Sequence, residues 1–282
     1  DHFALPPRGT HVLEWAIYPA ASKDVMNFIN LVRRDYLPPL PLPGSFIFGR
    51  TVPDAETIRR WNAAFFSYPC LTDAADDGFL DIEGYEFVEY PKERARLRKL
   101  FAEVRSRYPG MHTMFHVAHT LFATTRPERF ADAIARNADG SHVTYNSAWD
   151  YYRRYFPKEW YDAGGRWYIY YPTTENSFGK FGLRGTDMML DPNEIGVDSM
   201  WADDFVTGYV RDKYMPDATW DNASALIDPK THEIERLVTH ITLIQLPFMI
   251  AVADKVEAAG GYVLTNGIAA PRSLWGKKII AS

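Results

Sequence analysis

The sequence has only one cysteine, Cys70, in 282 residues. A lone thiol excludes an internal disulfide framework and is compatible with the cytosol, the periplasm or the extracellular space. Long hydrophobic runs are lacking too. The longest apolar stretch, residues 241–252, is interrupted by Thr242, Gln245 and Pro247 and is shorter than the about eighteen apolar residues of a membrane span. We therefore expect no membrane partner and interpret the stretch as a buried helix.

Positive charge is not in excess either. The chain has 31 Lys and Arg residues against 36 Asp and Glu residues, which gives a net charge of −5. Proteins that hold nucleic acid carry basic surfaces that neutralise phosphates. The sequence therefore predicts no nucleic-acid partner.

Sequence motifs for nucleotides and for one class of metal site are also missing. A dinucleotide-binding sheet has a glycine-rich turn after its first strand, but Pro-Ala-Ala-Ser-Lys follows Tyr18 here, and no P-loop is present. Metal-dependent amidohydrolase barrels need a His-x-His pair at the end of the first strand, and the first apolar run ends in Ala-Ile-Tyr instead. We expect no cofactor.

Aromatic residues, by contrast, are abundant. They make up 15% of a chain that is 46% hydrophobic, a composition typical of a globular protein. Flat rings with a polar tip suit surfaces that stack on sugars, but they also fill large cores. Composition alone leaves both interpretations open.

Short apolar runs alternate with amphipathic helical patterns along the chain. The predicted strands are residues 12–18, 45–49, 112–118, 166–172, 197–202 and 262–266, with weaker candidates at 85–90 and 277–281. The predicted helices are residues 25–36, a helix around 56–66, helices that begin at Pro91 and Pro127, and a long region at 233–259 with a kink or break at Pro247. Residues 172–195 are interpreted as a loop.

Strands that alternate with helices pair in parallel through right-handed crossovers. We therefore expect an α/β fold, a (β/α)8 TIM-like barrel that is irregular or truncated at the C-terminus, because six firm strands fall short of eight. Residues 1–282 are predicted to form a single catalytic barrel domain with an inserted helix–loop excursion at 51–84.

Three histidines lie close together on the predicted strand at 112–118 and just beyond it. Strand alternation places His112 and His116 on one face and His119 on the other, so the three cannot converge on one metal without distortion. His116 lies toward the carboxyl end of its strand, where barrel active sites are built. We interpret it either as a buried histidine under a loop or as a ligand of a substrate hydroxyl.

Two adjacent carboxylates, Asp203 and Asp204, follow the apolar run at 197–202, where the strand is expected to end. Consecutive residues point in different directions, so one of the two can face the mouth of the barrel while the other supports a loop. The alternative is that both cap the next helix or bind backbone amides.

This strand end resembles a known pattern. Gly196-Val-Asp-Ser-Met-Trp-Ala-Asp-Asp is similar to the Gly-x-Asp-Gly-x-x-x-Asp-(Glu/Asp) strand end of TIM-barrel glycoside hydrolases, including polygalactosaminidase-like and α-galactosidase-like groups, and departs from it at Ser199. Residues 13–18, the helix with Phe28 and Arg33, and the run at 45–48 also resemble the barrel of large, poorly characterised bacterial glycosidases. The resemblance implies a sugar substrate and an acidic catalytic pair.

Glycoside hydrolysis needs one carboxylic acid that protonates the glycosidic oxygen and a second carboxylate that acts as nucleophile or activates water. By the resemblance, Asp203 is the nucleophile or the acid and Asp204 a supporting carboxylate, or the reverse. Glu175, in the loop after residues 166–172, is the expected partner from another strand end. Glu14 lies inside the first predicted strand, where substrate binding or a structural ion pair is favoured.

Several side chains at strand ends and in loops are candidates for sugar binding. The predicted substrate-binding residues are Glu14, Trp15, Tyr18, His116, Trp149, Trp201 and Asn266. Each aromatic residue among them is also consistent with core or loop packing.

Three functions follow from these patterns. The preferred one is a glycoside hydrolase of a poly- or oligosaccharide, with no metal and with a secreted or periplasmic location. The second is a non-catalytic carbohydrate-binding barrel. The third is a metal-dependent hydrolase that uses His116, Asp203 and Asp204 as ligands.

Overall fold

The computed structural model describes residues 4–12, 14–19, 23–36, 43–69, 84–137, 139–145, 158–203, 205, 214–215, 218–266 and 271–281. The α-helices are α1 (Val25–Tyr36), α2 (Ala55–Trp61), α3 (Pro91–Arg107), α4 (Lys158–Asp162), α5 (Ser177–Leu190) and α6 (Ile241–Ala258). The strands are β1 (Ser45–Phe48), β2 (Ala63–Tyr68), β3 (His112–Ala118), β4 (Leu121–Thr124), β5 (Arg166–Ile169), β6 (Ser199–Asp203), β7 (Tyr214–Met215), β8 (Ala225–Ile227), β9 (Ile234–Leu237), β10 (Thr239–His240), β11 (Val263–Thr265) and β12 (Ile279–Ala281).

Six strands form one sheet in the order β1-β2-β3-β6-β11-β12, and this sheet curls into a half-barrel. Every neighbouring pair in it is parallel. The strands lie side by side in the order in which the chain visits them, so all crossovers run the same way and place their helices on one face. This winding confirms an α/β, barrel-like fold. The described sheet has six strands and is therefore not a complete (β/α)8 barrel.

Three predicted strands differ in the structure. Residues 12 and 14–18 form no strand. Residues 86–89 form a short 3-10 helix, with Phe87 and Val88 buried. The run at 166–172 does form a strand, β5, but it pairs with β4 in a separate antiparallel sheet. A short apolar run indicates that a segment is buried but not which strand it pairs with or whether it is a strand. The sequence therefore could not distinguish these three segments from strands of the main sheet.

The segment predicted as an excursion contributes a strand to the half-barrel. The helix predicted at 56–66 ends at Trp61, because Asn62 adopts a left-handed φ of 46° and its amide bonds back to Arg59 O. Residues 63–68 then form β2, between β1 and β3. Within the predicted excursion at 51–84, α2 and β2 thus form a helix–strand unit of the sheet, and residues 70–83 lie outside the described chain.

The loop predicted at 172–195 contains the 14-residue helix α5. Asn176 caps it by accepting a hydrogen bond of 2.8 Å from Gly179 N. Its glycines hid the helical pattern, since glycine lowers helix propensity. Gly185 is needed for close packing, because a Cβ there would overlap the ring of Tyr85.

Helices α3, α5 and α6 cover the convex face of the sheet. Their buried side chains form one core with the strand residues that point outward, such as Phe66, Phe115 and Met200. The helix predicted around Pro247 begins at Ile241 and contains that proline. No helix within the described chain is long and apolar enough to cross a membrane.

The concave face carries a smaller apolar cluster of Phe65, Met114, Trp201, Leu264 and Ile280. Because side chains alternate along a strand, His112 and His116 share the concave face with Met114. This confirms the prediction that the third histidine, His119, lies apart from them. His119 packs against the helix layer, with its ring 5.7 Å from those of both Tyr85 and Phe248.

Candidate functional site

Three predicted site residues come together at the carboxyl edge of the half-barrel. His116 lies near the end of β3, Asp203 is the last residue of β6, and Asn266 directly follows β11. These strands are neighbours in the sheet, and all three side chains lie on its concave side. Asn266 is level with Asp203, because Thr265 pairs with Ala202, whereas His116 pairs with Trp201, two residues before Asp203. We call this group the edge triad. The spacing of the three residues in the sequence does not show that they lie together. They do so because β3, β6 and β11 are adjacent parallel strands.

Asp203 is the centre of the edge triad. Its Oδ1 accepts a hydrogen bond from the side-chain amide of Asn266. Its Oδ2 lies 3.4 Å from His116 Nε2, and both of these side chains are largely buried, at 15% and 12% exposed. The carboxylate is therefore held from two sides while part of it still reaches solvent.

Asn266 donates a hydrogen bond to the Asp203 carboxylate. A hydrogen bond donated to a carboxylate stabilises its charged form. An ionised carboxylate held in one orientation can accept hydrogen bonds from hydroxyl groups, take a proton from water or attack an electrophilic carbon. The residues that Asp203 would cap, 204 and 206–213, lie outside the described chain, so helix capping and backbone binding stay open as predicted alternatives.

Aromatic rings lie next to the edge triad on the concave face. Trp201, two residues before Asp203, packs against Phe46 at 4.5 Å and against Phe48 at 5.2 Å between ring centroids. The ring of Phe48 also lies 6.0 Å from that of His116. Trp201 itself is only 6% exposed, so most of its surface is used in this packing.

A second His–Asp pair lies at the opposite edge of the same strands. His112 Nδ1 is 3.3 Å from Asp198 Oδ2, and Asp198 also accepts hydrogen bonds from Thr113 N and Ser199 Oγ. Gly196 adopts a φ of 74°, a left-handed conformation that suits glycine. Gly196 and Asp198, the glycine and the aspartate of the Gly-x-Asp motif, thus shape the chain where it enters β6.

His119 directly follows β3 and packs against the helix layer. Its Nδ1 shares a hydrogen bond of 2.7 Å with the hydroxyl of Tyr85. Burial lowers the pKa of His119 to about 3 and outweighs the nearby charge of Asp203, which acts in the opposite direction. Burial also raises the pKa of Tyr85, so both groups are neutral at physiological pH.

We expect this buried histidine to make the protein sensitive to acid. The folded pKa of His119 is about 3 against 6.5 for a free imidazole, so the unfolded chain binds one more proton between these two values. The unfolding free energy of the wild type should therefore fall as pH drops from 6.5 toward 3. Urea unfolding at several pH values, compared with His119→Gln, measures this. The unfolding free energy of the variant should depend on pH less steeply than that of the wild type, by about one proton. Equal slopes in the two proteins would contradict this role of His119.

Glu175 does not follow a strand of the half-barrel. It is an exposed residue in the turn before α5, where its backbone N–H donates to Thr173 Oγ1 at 3.2 Å. Thr173 and Asn176 form the cap of that helix. Its predicted position after a strand of the barrel fails because β5 belongs to the separate two-stranded sheet.

The predicted site residues near the N-terminus form another group. Glu14 pairs with Arg272, and Tyr18 packs edge-to-face against Phe28 at 6.1 Å. Trp15 is 80% exposed. These residues line an open cleft and do not follow a barrel strand, because the strand predicted at 12–18 does not form.

Two predicted site residues, Trp149 and Asp204, lie outside the described residues. Within the part of the chain that is described, no group of three His, Cys, Asp or Glu side chains is placed to hold a metal ion. Sequence reasoning missed Phe48, although it lies near the end of the strand predicted at 45–49, at the edge where sites are expected. That position was the signal that could have identified it.

Comparisons with known protein families, curated protein sequences and solved structures find no match to this chain. The edge triad and its neighbouring rings are therefore the basis on which a function is argued.

Proposed function

We propose that this protein is a glycoside hydrolase that cleaves a poly- or oligosaccharide with Asp203 as a catalytic carboxylate. The observation that carries the proposal is the position of Asp203 at the carboxyl end of β6, oriented by Asn266 and bordered by aromatic rings. Active sites of α/β barrels lie at this edge of the sheet. A carboxylate beside an amide and an aromatic ring offers the two interactions that sugars make, hydrogen bonds and stacking.

In this proposal Asp203 acts as nucleophile or base. The amide donor on its Oδ1 stabilises the ionised form, and an ionised carboxylate cannot protonate a leaving oxygen. The proton must therefore come from a second carboxyl group. Glu175 and Asp204 are the candidates for this acid.

The proposed reaction breaks the bond between the anomeric carbon and the glycosidic oxygen. The acid gives its proton to that oxygen as the bond breaks. Water supplies the oxygen of the new bond, either directly or by hydrolysing an ester formed with Asp203, and its proton goes to the carboxyl group that acts as base. The products are two sugars with free hydroxyl groups.

A non-catalytic carbohydrate-binding barrel is the second candidate. The location of Glu175 on an exposed helix-capping turn favours it, because this residue is not carried by a strand of the half-barrel. Without a second carboxyl group, Asp203 and Asn266 would still offer an acceptor and a donor to sugar hydroxyls.

Hydrolysis of a panel of neutral polysaccharides and aryl glycosides tests the proposal. We expect the wild type to release reducing sugar or phenol from at least one of them. Binding of a glycan with no turnover of any substrate would favour the carbohydrate-binding barrel. Absence of both binding and turnover would contradict both functions.

The variants Glu175→Gln and Asp204→Asn identify the acid. Loss of a general acid slows a poor leaving group by about 10²–10⁴-fold and a good one much less, since a good leaving group departs unprotonated. We therefore expect the correct variant to lose activity on an alkyl glycoside and to keep most of its activity on the dinitrophenyl glycoside of the same sugar. Equal losses on both substrates would exclude that residue as the acid.

A further inference from the structure

One large aromatic ring on the concave face remains open to solvent beside the edge triad. Phe48 ends β1 and is 43% exposed, whereas Phe65, on the same face of the neighbouring strand, is fully buried. Two edge-to-face contacts fix its ring, to Phe46 at 5.3 Å and to Trp201 at 5.2 Å. The ring is therefore held in one orientation and still presents surface to a ligand.

This ring belongs to the same site as the carboxylate. Its centroid is 6.0 Å from that of the His116 ring, and His116 is in turn next to Asp203. A molecule lying on Phe48 is thus directed toward the imidazole and the carboxylate. The apolar ring and the hydrogen-bonding groups are therefore close enough for one ligand to contact both.

The chemistry of this pairing selects the ligand class. An apolar ligand would cover Phe48 but would also displace water from the polar groups of Asp203 and Asn266, which is costly. A pyranose ring has a flat C–H face for the aromatic ring and hydroxyl groups for the edge triad. A uronic acid would bring a second negative charge to Asp203, and like charges at close range repel.

We propose that Phe48 is the stacking platform of a subsite that binds a neutral pyranose ring beside Asp203. This inference rests on the proposed function for its sugar substrate and adds the ring that binds it and the charge class of the sugar. The platform holds the sugar so that its glycosidic bond faces the carboxylate of Asp203.

Titration calorimetry with neutral hexasaccharides of gluco, xylo, manno and galacto configuration tests the platform. The titrated protein is Asp203→Asn, which is expected not to consume its ligand. We expect one of these sugars to bind, and we expect Phe48→Ala in the same background to weaken its binding by about tenfold, the value of one good aromatic contact. Phe48→Tyr should restore the affinity. The matched control is Trp61→Ala, since Trp61 is 60% exposed on α2 and belongs to no part of the site.

Unchanged affinity in Phe48→Ala, an equal loss in Trp61→Ala, or no binding of any neutral hexasaccharide would overturn the platform. The charge class is tested on the wild type, which keeps the Asp203 carboxylate, with thio-linked analogues of the bound sugar that cannot be hydrolysed. The C6-oxidised form of a gluco, manno or galacto analogue should bind about tenfold more weakly than the neutral form, a difference of roughly 1.4 kcal/mol. Equal affinity for both forms would overturn the charge class. Hydrolysis by the single variants separates this inference from the proposed function. Full activity in Asp203→Asn, with weakened binding in Phe48→Ala, would reject the catalytic role and leave the platform intact.

Discussion

Asparagine in place of Asp203 is expected to lower the kcat of glycoside hydrolysis by about 10³-fold or more while the protein stays folded. Asparagine has the same shape and keeps an oxygen that can accept the hydrogen bond from Asn266. The loss therefore comes from the missing negative charge, which is needed for attack on the anomeric carbon or on a water proton. Substrate affinity should change little, because the rings and the amide remain in place.

The control for this variant is Asp198→Asn, the same change in the second His–Asp pair. Asp198 faces His112 at the opposite edge of β3 and β6. It accepts hydrogen bonds from Thr113 N and Ser199 Oγ, and an asparagine oxygen can accept the same two hydrogen bonds. We expect its kcat to equal that of the wild type. Circular dichroism and thermal melting confirm the fold of both variants. Wild-type kcat in Asp203→Asn, or an equal loss in Asp198→Asn, would show that the edge triad is not the reaction site.

Alanine at Gly261 is expected to destabilise the fold by about 3 kcal/mol or more. Gly261 lies between α6 and β11, where a Cβ would overlap the carbonyl oxygen of Asp198. The overlapped atom belongs to the backbone at the entry to β6, so a side-chain rotation cannot relieve the contact. Because β6 and β11 carry Asp203 and Asn266, this variant should also weaken sugar binding in the fraction that still folds.

The neighbouring glycine provides the control. Gly260 has a φ of 85°, and no atom lies within 4 Å of the point that a Cβ would occupy, so alanine there meets strain but no overlap. Left-handed backbone costs an L-residue about 1–2 kcal/mol, less than the expected loss at Gly261. Urea unfolding of Gly260→Ala and Gly261→Ala gives the two values. The reverse order would contradict the packing described between α6 and β6.

The central strands of the half-barrel could be predicted from the sequence because they are buried on both faces. The runs that became β3 and β6 are short and mostly apolar, which is typical of a parallel strand covered on both sides. Strand alternation also placed His112 and His116 on one face correctly. Strand β2 was harder to predict, because only Asn62 separates it from α2. This single left-handed residue marks the boundary between the helix and the strand.

The candidate site was predictable in its parts and not in its assembly. Asp203, His116, Trp201 and Asn266 could each be identified from a place at or near a strand end. Their meeting depends on which strands are neighbours, and that is decided by the crossovers through the helix layer. Glu175 shows where sequence patterns stop being informative, because its strand has the right composition but pairs outside the half-barrel.

The most direct test of the central claim is chemical rescue of Asp203→Ala by azide. With an activated aryl glycoside that the wild type hydrolyses, the small anion enters the space left by the carboxylate and attacks the anomeric carbon. The carbon–oxygen bond breaks, a carbon–nitrogen bond forms and the phenolate leaves. We expect azide to restore turnover and the product to be a glycosyl azide, identified by mass spectrometry. Absence of both rescue and glycosyl azide, in a folded variant of an active wild type, would contradict the role of Asp203.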